Sequence, residues 1–259
     1  MTYTKYSASG NDFVIFHSFV EKDFTNDAIR LCNRTEGIGA DGFVAILPCD
    51  TADFKWQFYN SDGSDAAMCG NATRAVAHYA YNNNLAPSKM KFLTKAGIIE
   101  SEVFVSNQNN DEDKNVVQTQ MTEPKVIKEP FEQEGFTWYL IDTGVPHLVC
   151  IVDDLEKYDH DLCSKMRYEY NANVNFAKVE NAKNKKILKV RTYERGVEGE
   201  TKACGTGMVA CFLRAFDLNL VENKTFVYPI SGEELSVSKI EEKIYFKGAV
   251  KKVFTTTIE

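Results

Sequence analysis

The stretch ACGTG at residues 203–207 has a partial copy in MCGN at 68–71, and this pair decides how the chain is read. Each copy sets a cysteine directly before a glycine, and a helix-like run follows: ATRAVAHYA after the first, MVACFLRAF after the second. In the first run Ala72, Ala75, Val76, Tyr79 and Ala80 recur at i, i+3, i+4, i+7 and i+8, the stripe of an amphipathic helix, which stops at Asn82-Asn83-Asn84 before Pro87. In the second, Met208 to Leu213, Ala215 and Phe216 are apolar nearly all round, so this helix is enclosed rather than laid on a surface. Both cysteines fall at helix starts.

The spacing of the two cysteines (204 − 69 = 135) aligns much more of the chain. FYNSDGSDAAMCG (58–70) lies over YERGVEGETKACG (193–205) after a one-residue adjustment, and Asn60 falls on Arg195, nine residues before each cysteine. KMKFLTK (89–95) lies over KTFVYPI (224–230), and Ala96-Gly97 over Ser231-Gly232. The order of elements repeats as well. Strands at GFVAILP and FKWQFY precede the first cysteine, and strands at NVNFAKV and ILKVRTY the second. After each helix come alternating runs, IIESEVFV and NVVQTQM in one half, ELSVSKI and KIYFKGAV in the other. The expectation is an α/β (α+β) chain of two pseudo-symmetric domains, each a mixed, mostly antiparallel sheet wrapped around a central helix. The boundaries are 1–113 for the N-terminal domain, joined by a last strand at about 250–259, and 114–249 for the C-terminal domain. The change-over falls in the polar, turn-rich SNQNNDEDKN (106–115).

Composition limits the function classes. With 259 residues and 44% hydrophobic content the chain can bury a substantial core. A formal charge of −7 argues against a general nucleic-acid binder, which carries a basic face. No apolar run reaches the roughly 18 residues of a membrane span, and MTYTKYSASGND lacks the order of a signal peptide, so a cytoplasmic protein is expected. The seven cysteines are odd in number and irregularly spaced, with no C-x-x-C pair, against both a disulfide framework and a zinc ribbon. GVEGETKACGTG lacks the G-K-[ST] ending of a phosphate loop, and no metal-ligand spacing occurs in the acidic stretch 153–170, which reads as an exposed helix.

A helix N-terminus offers unpaired N–H groups and partial positive charge, which stabilise a thiolate and can hold a carboxylate. Taken singly, Cys69 or Cys204 reads as a buried structural thiol. Two at matching helix starts point to a matched acid and base, one removing a proton from a carbon and the other returning one to its opposite face. A carboxylate held by the helix ends would stabilise the carbanion between these steps.

At this point the residues resemble a family, diaminopimelate epimerase. The likeness runs from SASGNDFVIF (7–16) to the last strands, through GIGADG (37–42), FYNSDGSDAAMCGN (58–71), TGVPH (143–147), NVNF (173–176) and YERGVEGETKACGTG (193–207). The resemblance implies a cofactor-independent interconversion of LL- and meso-diaminopimelate, on the route to lysine and the cell-wall precursor, in a cleft between the domains. It implies Cys69 and Cys204 as the acid–base pair. Gly70, Asn71, Gly205 and Thr206 would address the carboxylate of the reacting amino acid, and Asn11, Asn60, Asn173, Glu194 and Arg195 the rest of a zwitterionic substrate. It implies no metal and no cofactor, a small-molecule substrate as partner, and a homodimer. Two positions depart from the common pattern: Val145, where many members have asparagine, and Gly42, where many have glutamine.

Other histidines carry less. His147 either orients a neighbour near the cysteines or is a loop histidine satisfied by backbone. His78 has a structural or surface role, and His17 and His160 have no motif around them. Two further readings stay open. A proline or hydroxyproline racemase resembles this family in fold and paired cysteines. A non-enzymatic redox sensor or binding module would use two low-pKa thiols in a reversible disulfide.

Overall fold

A computed structural model of the chain describes residues 1–104, 115–182 and 185–258. In order, its elements are β1 (Thr2–Ala8), β2 (Asn11–His17), α1 (Thr25–Cys32), β3 (Gly42–Leu47), β4 (Phe54–Asn60), α2 (Gly70–Asn82), β5 (Lys89–Thr94), β6 (Gly97–Phe104) and β7 (Val116–Gln120). There follow β8 (Lys125–Gln133), β9 (Phe136–Asp142), β10 (Pro146–Ile151), a 3-10 turn (Leu155–Lys157), α3 (His160–Tyr170), β11 (Asn173–Ala182) and β12 (Lys185–Glu194). The chain closes with β13 (Gly199–Thr201), α4 (Gly205–Asp217), β14 (Lys224–Pro229), β15 (Leu235–Ile240), β16 (Lys243–Ala249) and β17 (Lys251–Thr257). Two compact units result: Met1–Gln120 with Lys247–Glu259, and Met121–Phe246. Of the polar change-over stretch 106–115, all but Asn115 lies outside the described residues.

In the first unit β17, β1 and β2 pair antiparallel, β2 runs parallel to β3, β3 antiparallel to β4, β4 parallel to β5, and β5, β6 and β7 antiparallel in turn. The Val250 N–H donates to the Asn115 carbonyl at 2.7 Å, so the segment entering β17 also meets the start of β7. This sheet wraps α2. Phe13 and Ile15 of β2, Val44 and Ile46 of β3, and Trp56 and Phe58 of β4 point at Ala72, Ala75, Val76, Tyr79 and Ala80. The alternate residues Val14, Phe16, Phe43, Ala45 and Leu47 cover α1 on the other face. A strand packed on both faces buries every residue, which is why GFVAIL of β3 shows no polar alternation.

The second unit repeats that connectivity. β9 pairs antiparallel with β10, β10 parallel with β11, β11 antiparallel with β12, β12 parallel with β14 and β14 antiparallel with β15. Here α3 stands where α1 stood: its Cys163 and Met166 pack on Leu148, Cys150, Val174 and Phe176. α4 contacts β10, β11, β12 and β14. α2 and α4 are each 13 residues long, and β5 and β14 six. Each unit is a mixed, mostly antiparallel sheet around one helix, as the duplication predicted.

Three expectations change in detail. The stripe on α2 suggested one polar face, but Thr73, Arg74 and His78 on that face are all buried, because the sheet encloses α2 as fully as its partner encloses α4. The stretch 153–170 is a 3-10 turn and a helix, each capped by an aspartate side chain, Asp154 to the Glu156 N–H and Asp159 to the Leu162 N–H. Its helix buries Cys163 and Met166 rather than lying free in solvent. Finally, the hairpin β8–β9, turning at Glu134 and Gly135 with positive φ at both, had no counterpart in the sequence reading. Among the described residues no helix is long and apolar enough to cross a membrane.

Candidate active site

Cys69 and Cys204 are the N-cap residues of α2 and α4. Both have extended backbones (φ −148°, ψ 122° and φ −123°, ψ 109°), and the Thr73 and Met208 N–H groups close the first helical turns onto their carbonyls. Helix geometry leaves the N–H groups of the three residues after each cysteine without a carbonyl one turn back. Gly70 and Gly205 open these turns, with no side chain between the backbone and a ligand.

In the first unit the strand register brings the other candidates to the same end. Phe13 pairs with Gly42 and Gly42 with Asn60, so the start of β2, the start of β3 and the end of β4 share one edge. Asn71 Nδ2 donates to Asn11 Oδ1 at 2.7 Å, joining α2 to β2. Asn60 is held separately, its Nδ2 donating to Ser64 Oγ at 3.0 Å. Behind Asn11, Asp12 and Asp41 bracket the loop. Arg34 donates to both Asp12 carboxylate oxygens, at 3.1 and 3.0 Å, and to Asp41 at 2.7 Å, while Lys5 sits 3.0 Å from Asp12. These hydrogen bonds and charges outweigh burial and lower the pKa of Asp12. The motifs SGND and GIGADG thus meet in one clamp.

The second unit uses the equivalent end. His147 pairs with Asn173 across β10 and β11, and β12 ends alongside at Glu194. The Arg195 N–H donates to Asn173 Oδ1 at 2.8 Å, and Arg195 Nη1 to the Asn171 carbonyl at 2.9 Å. Burial raises the pKa of the Glu194 carboxyl. Thr206 is the meeting point: its carbonyl accepts from Thr143 Oγ1 at 2.9 Å, its Oγ1 lies 2.9 Å from His147 Nε2, and the same oxygen lies 3.6 Å from Cys204 Sγ.

The His147 ring is fully buried, and burial pushes its pKa down to about 3, so the imidazole is neutral at pH 7. The Asn175 amide assigns its tautomer. Asn175 Nδ2 donates to the Leu148 carbonyl at 3.0 Å and lies 3.1 Å from His147 Nδ1, while Asn175 Oδ1 accepts from Thr192 at 2.9 Å. Nδ1 is therefore an acceptor and Nε2 carries the hydrogen. Asn173 Nδ2 lies farther away, 3.5 Å from Nε2, and points as well to the Pro146 carbonyl at 3.4 Å. Nε2 donates to Thr206 Oγ1, which leaves the Thr206 hydroxyl hydrogen for the Cys204 sulfur.

Glycines mark the close approaches. A Cβ on Gly207 would fall on Asn175 Oδ1 and lie 3.3 Å from His147 Cε1, so the second glycine of CGTG lets α4 settle against this network. A Cβ on Gly42 would come within 2.7 Å of Phe58 Cε2 and 3.2 Å of the Tyr59 carbonyl. That ring fills the space a larger residue would need at this departing position. Of the remaining five cysteines, burial pushes Cys32, Cys150 and Cys163 up to about 12 and Cys211 well above its ordinary value, while hydrogen bonding at Thr51 lowers the pKa of half-exposed Cys49. Among the described residues no three His, Cys, Asp or Glu side chains gather as metal ligands would.

The sequence singles out His147 but not the Asn175, Thr192 and Thr143 side chains around it, nor Arg34 and Asp41 behind Asn11. Asn175 and Asp41 stand inside quoted motifs, NVNF and GIGADG, and only that adjacency pointed to them. His78 is structural: it is buried on α2, with Nδ1 3.2 Å from the Tyr6 hydroxyl. His17 Nδ1 meets the Tyr79 hydroxyl at 2.8 Å, and His160 lies edge-on to Tyr193.

The family model for diaminopimelate epimerase matches residues 3–127 and 139–253. The chain belongs to the diaminopimelate epimerase family. A diaminopimelate epimerase from a Nitratiruptor species is 53% identical over 256 residues, which span 99% of this chain and 98% of the relative. Among solved structures, a phenazine biosynthesis protein of the PhzF family from Bacillus anthracis superposes with a TM-score of 0.73 at 16% identity, over 100% of this chain and 99% of the other. A hydroxyproline epimerase from Agrobacterium vitis, solved with trans-4-hydroxy-L-proline, superposes with a TM-score of 0.69 at 13% identity, over 99% and 91%. At such low identity these two structures establish the shared fold, while the diaminopimelate epimerase assignment rests on the family model and the close relative.

Proposed function

We propose that this protein interconverts LL- and meso-diaminopimelate without a cofactor, with Cys69 and Cys204 as the acid–base pair. The observation that carries the reading is the matched placement of the two thiols: each is the extended N-cap of a 13-residue enclosed helix, at the equivalent end of a repeated unit. Inversion at a carbon needs a base on one face and an acid on the other. One cysteine, as thiolate, takes the α-proton; the electron pair left behind spreads into the carboxylate. The other, as thiol, returns a proton to the opposite face and becomes the thiolate. Atoms and charge balance, and the reverse reaction exchanges the roles.

The helix starts suit the carboxylate of the reacting centre, with the N–H groups of Gly70, Asn71, Gly205 and Thr206 as donors to its oxygens. Arg195 suits a distal carboxylate, and Glu194 an ammonium group. Asn11, Asn60 and Asn173 complete the polar contacts of the substrate. The Thr206 hydroxyl, turned by neutral His147, supports the thiolate form of Cys204. A cytoplasmic homodimer is part of the same reading.

The test is chromatographic separation of stereoisomers after incubating the purified protein with LL-diaminopimelate in reducing buffer without added cofactor. Approach to an LL/meso equilibrium, with proline and 4-hydroxyproline unchanged, is the expected result. Turnover of either proline and none of diaminopimelate would overturn it. Sedimentation equilibrium tests the dimer.

A further inference from the structure

Arg74 lies on α2 five residues after Cys69, with its side chain wholly buried, and the roles given to Asn11 and Asn71 do not by themselves use it. Its Nη2 donates to Ser9 Oγ at 2.6 Å and to Asn71 Oδ1 at 2.7 Å. A guanidinium only donates, so the Asn71 atom facing it is the carbonyl oxygen and the amide nitrogen points the other way. That nitrogen donates to Asn11 Oδ1, which turns Asn11 Nδ2 towards Asp41 Oδ2 at 3.2 Å. Asp41, lying 2.7 Å from Arg34 in an ion pair, accepts. The row therefore begins at an obligate donor and ends at an acceptor. Flipping either amide would set donor against donor or acceptor against acceptor.

We infer that Arg74 is a positioning residue that fixes the hydrogen-bond polarity of Asn71 and Asn11, so that this end of the first unit offers amide N–H donors and selects a carboxylate over an ammonium group. Both amide oxygens face their neighbours in the row, and the hydrogens not used along it are donors. Asn71 is nearly buried while Asn11 is half-exposed, so Asn11 is the member that meets the ligand. The inference rests on the epimerase reading only for the identity of the ligand. The relay itself is a property of the free protein.

The experiment has two readouts on wild type, Arg74→Met, Arg74→Lys and Asn71→Asp. The first is the pair of side-chain amide signals of Asn71 and Asn11 in 15N-resolved NMR of the unliganded protein. Wild type should show slowly exchanging, shifted NH2 pairs for both residues. Arg74→Met should collapse the Asn71 pair towards ordinary amide positions and move that of Asn11. Arg74→Lys, which retains a charged donor, should restore part of the shift. The second is the kinetics of diaminopimelate turnover. Loss of one directed hydrogen bond predicts about a tenfold fall in kcat/KM for Arg74→Met, carried mostly by KM, with Arg74→Lys intermediate. Asn71→Asp accepts from Arg74 but cannot donate to Asn11, and should shift the Asn11 signals and raise KM even where Arg74→Met fails to fold. Unchanged Asn11 signals in both Arg74→Met and Asn71→Asp, or in Asn71→Asp alone if the other does not fold, would overturn the relay. Wild-type KM in a folded Arg74→Met would overturn its role in binding. A wild type with ordered amides but no turnover would count against the epimerase reading instead and leave the relay standing.

Discussion

Asn175 Nδ2 lies 3.1 Å from His147 Nδ1, and that contact leaves the imidazole a single role, donor to Thr206. The ring orients a hydroxyl rather than shuttling a proton. Asn175→Ala frees the ring and strips Thr192 of its acceptor, and should lower kcat about tenfold while costing about 1–3 kcal/mol of stability. Steady-state kinetics and thermal melts check both. Asn175→Asp tests direction: a carboxylate cannot donate to Nδ1, so the tautomer reverses and activity should fall at least as far.

The pH dependence follows from His147. Its folded pKa, about 3, lies below the unfolded value near 6.5, so between these values the unfolded chain binds more protons. Its contribution to stability is complete above about pH 6.5 and is lost progressively as pH falls towards about 3. Denaturant titrations of wild type and His147→Gln across that window should converge as pH drops. Because the ring stays neutral, the pH–rate profile should have no limb near pH 6.5 that disappears in His147→Gln.

Gly207→Ala sets a methyl group against Asn175 Oδ1 and should cost about 1–3 kcal/mol by overpacking. For a chain of this size that is a fall of several degrees in Tm, about 2–4 °C per kcal/mol. Turnover should fall with it, since the displaced amide is the one that orients His147. Gly199→Ala, where a Cβ meets nothing within 4 Å, is the control and should leave Tm and turnover close to wild type.

Gly42→Ala carries the same logic into the first unit, against the buried Phe58 ring. It should lower Tm by a similar amount, with Gly42→Gln worse. A Gly42→Gln protein as stable as wild type would mean that the ring yields easily and that packing does not explain the glycine here.

Alkylation separates the thiols. Treated with iodoacetamide at pH 7.5, half-exposed Cys49 and Cys69 should be modified early, and Cys32, Cys150, Cys163 and Cys211 last, since burial both shields them and raises their pKa. Peptide mass spectrometry over time reads the order.

The cysteine-glycine pairs carried much of this in the sequence. ACGTG and MCGN marked both helix starts to the residue, and the 135-residue offset holds for α2 against α4 and β5 against β14. What stayed hidden was long-range polar pairing. Arg74 falls off the apolar stripe of its helix, and periodicity records which residues are apolar but says nothing of how many sides a sheet covers. Asn175 stands two residues after Asn173 in one strand, and alternation sends both side chains to the same face. Only its contact with His147, 28 residues away, marks Asn175 as the amide that holds the ring. Gly207 stands in ACGTG, but nothing in the sequence sets the Asn175 oxygen against it.

Whether two thiols share the proton transfers is read by NMR of LL-diaminopimelate in deuterated, reducing buffer with wild type, Cys69→Ala and Cys204→Ala. The account predicts deuterium at one α-carbon with conversion to the meso form in wild type, and loss of conversion in both variants. Epimerisation persisting in either alanine variant, or no exchange in wild type, would contradict it.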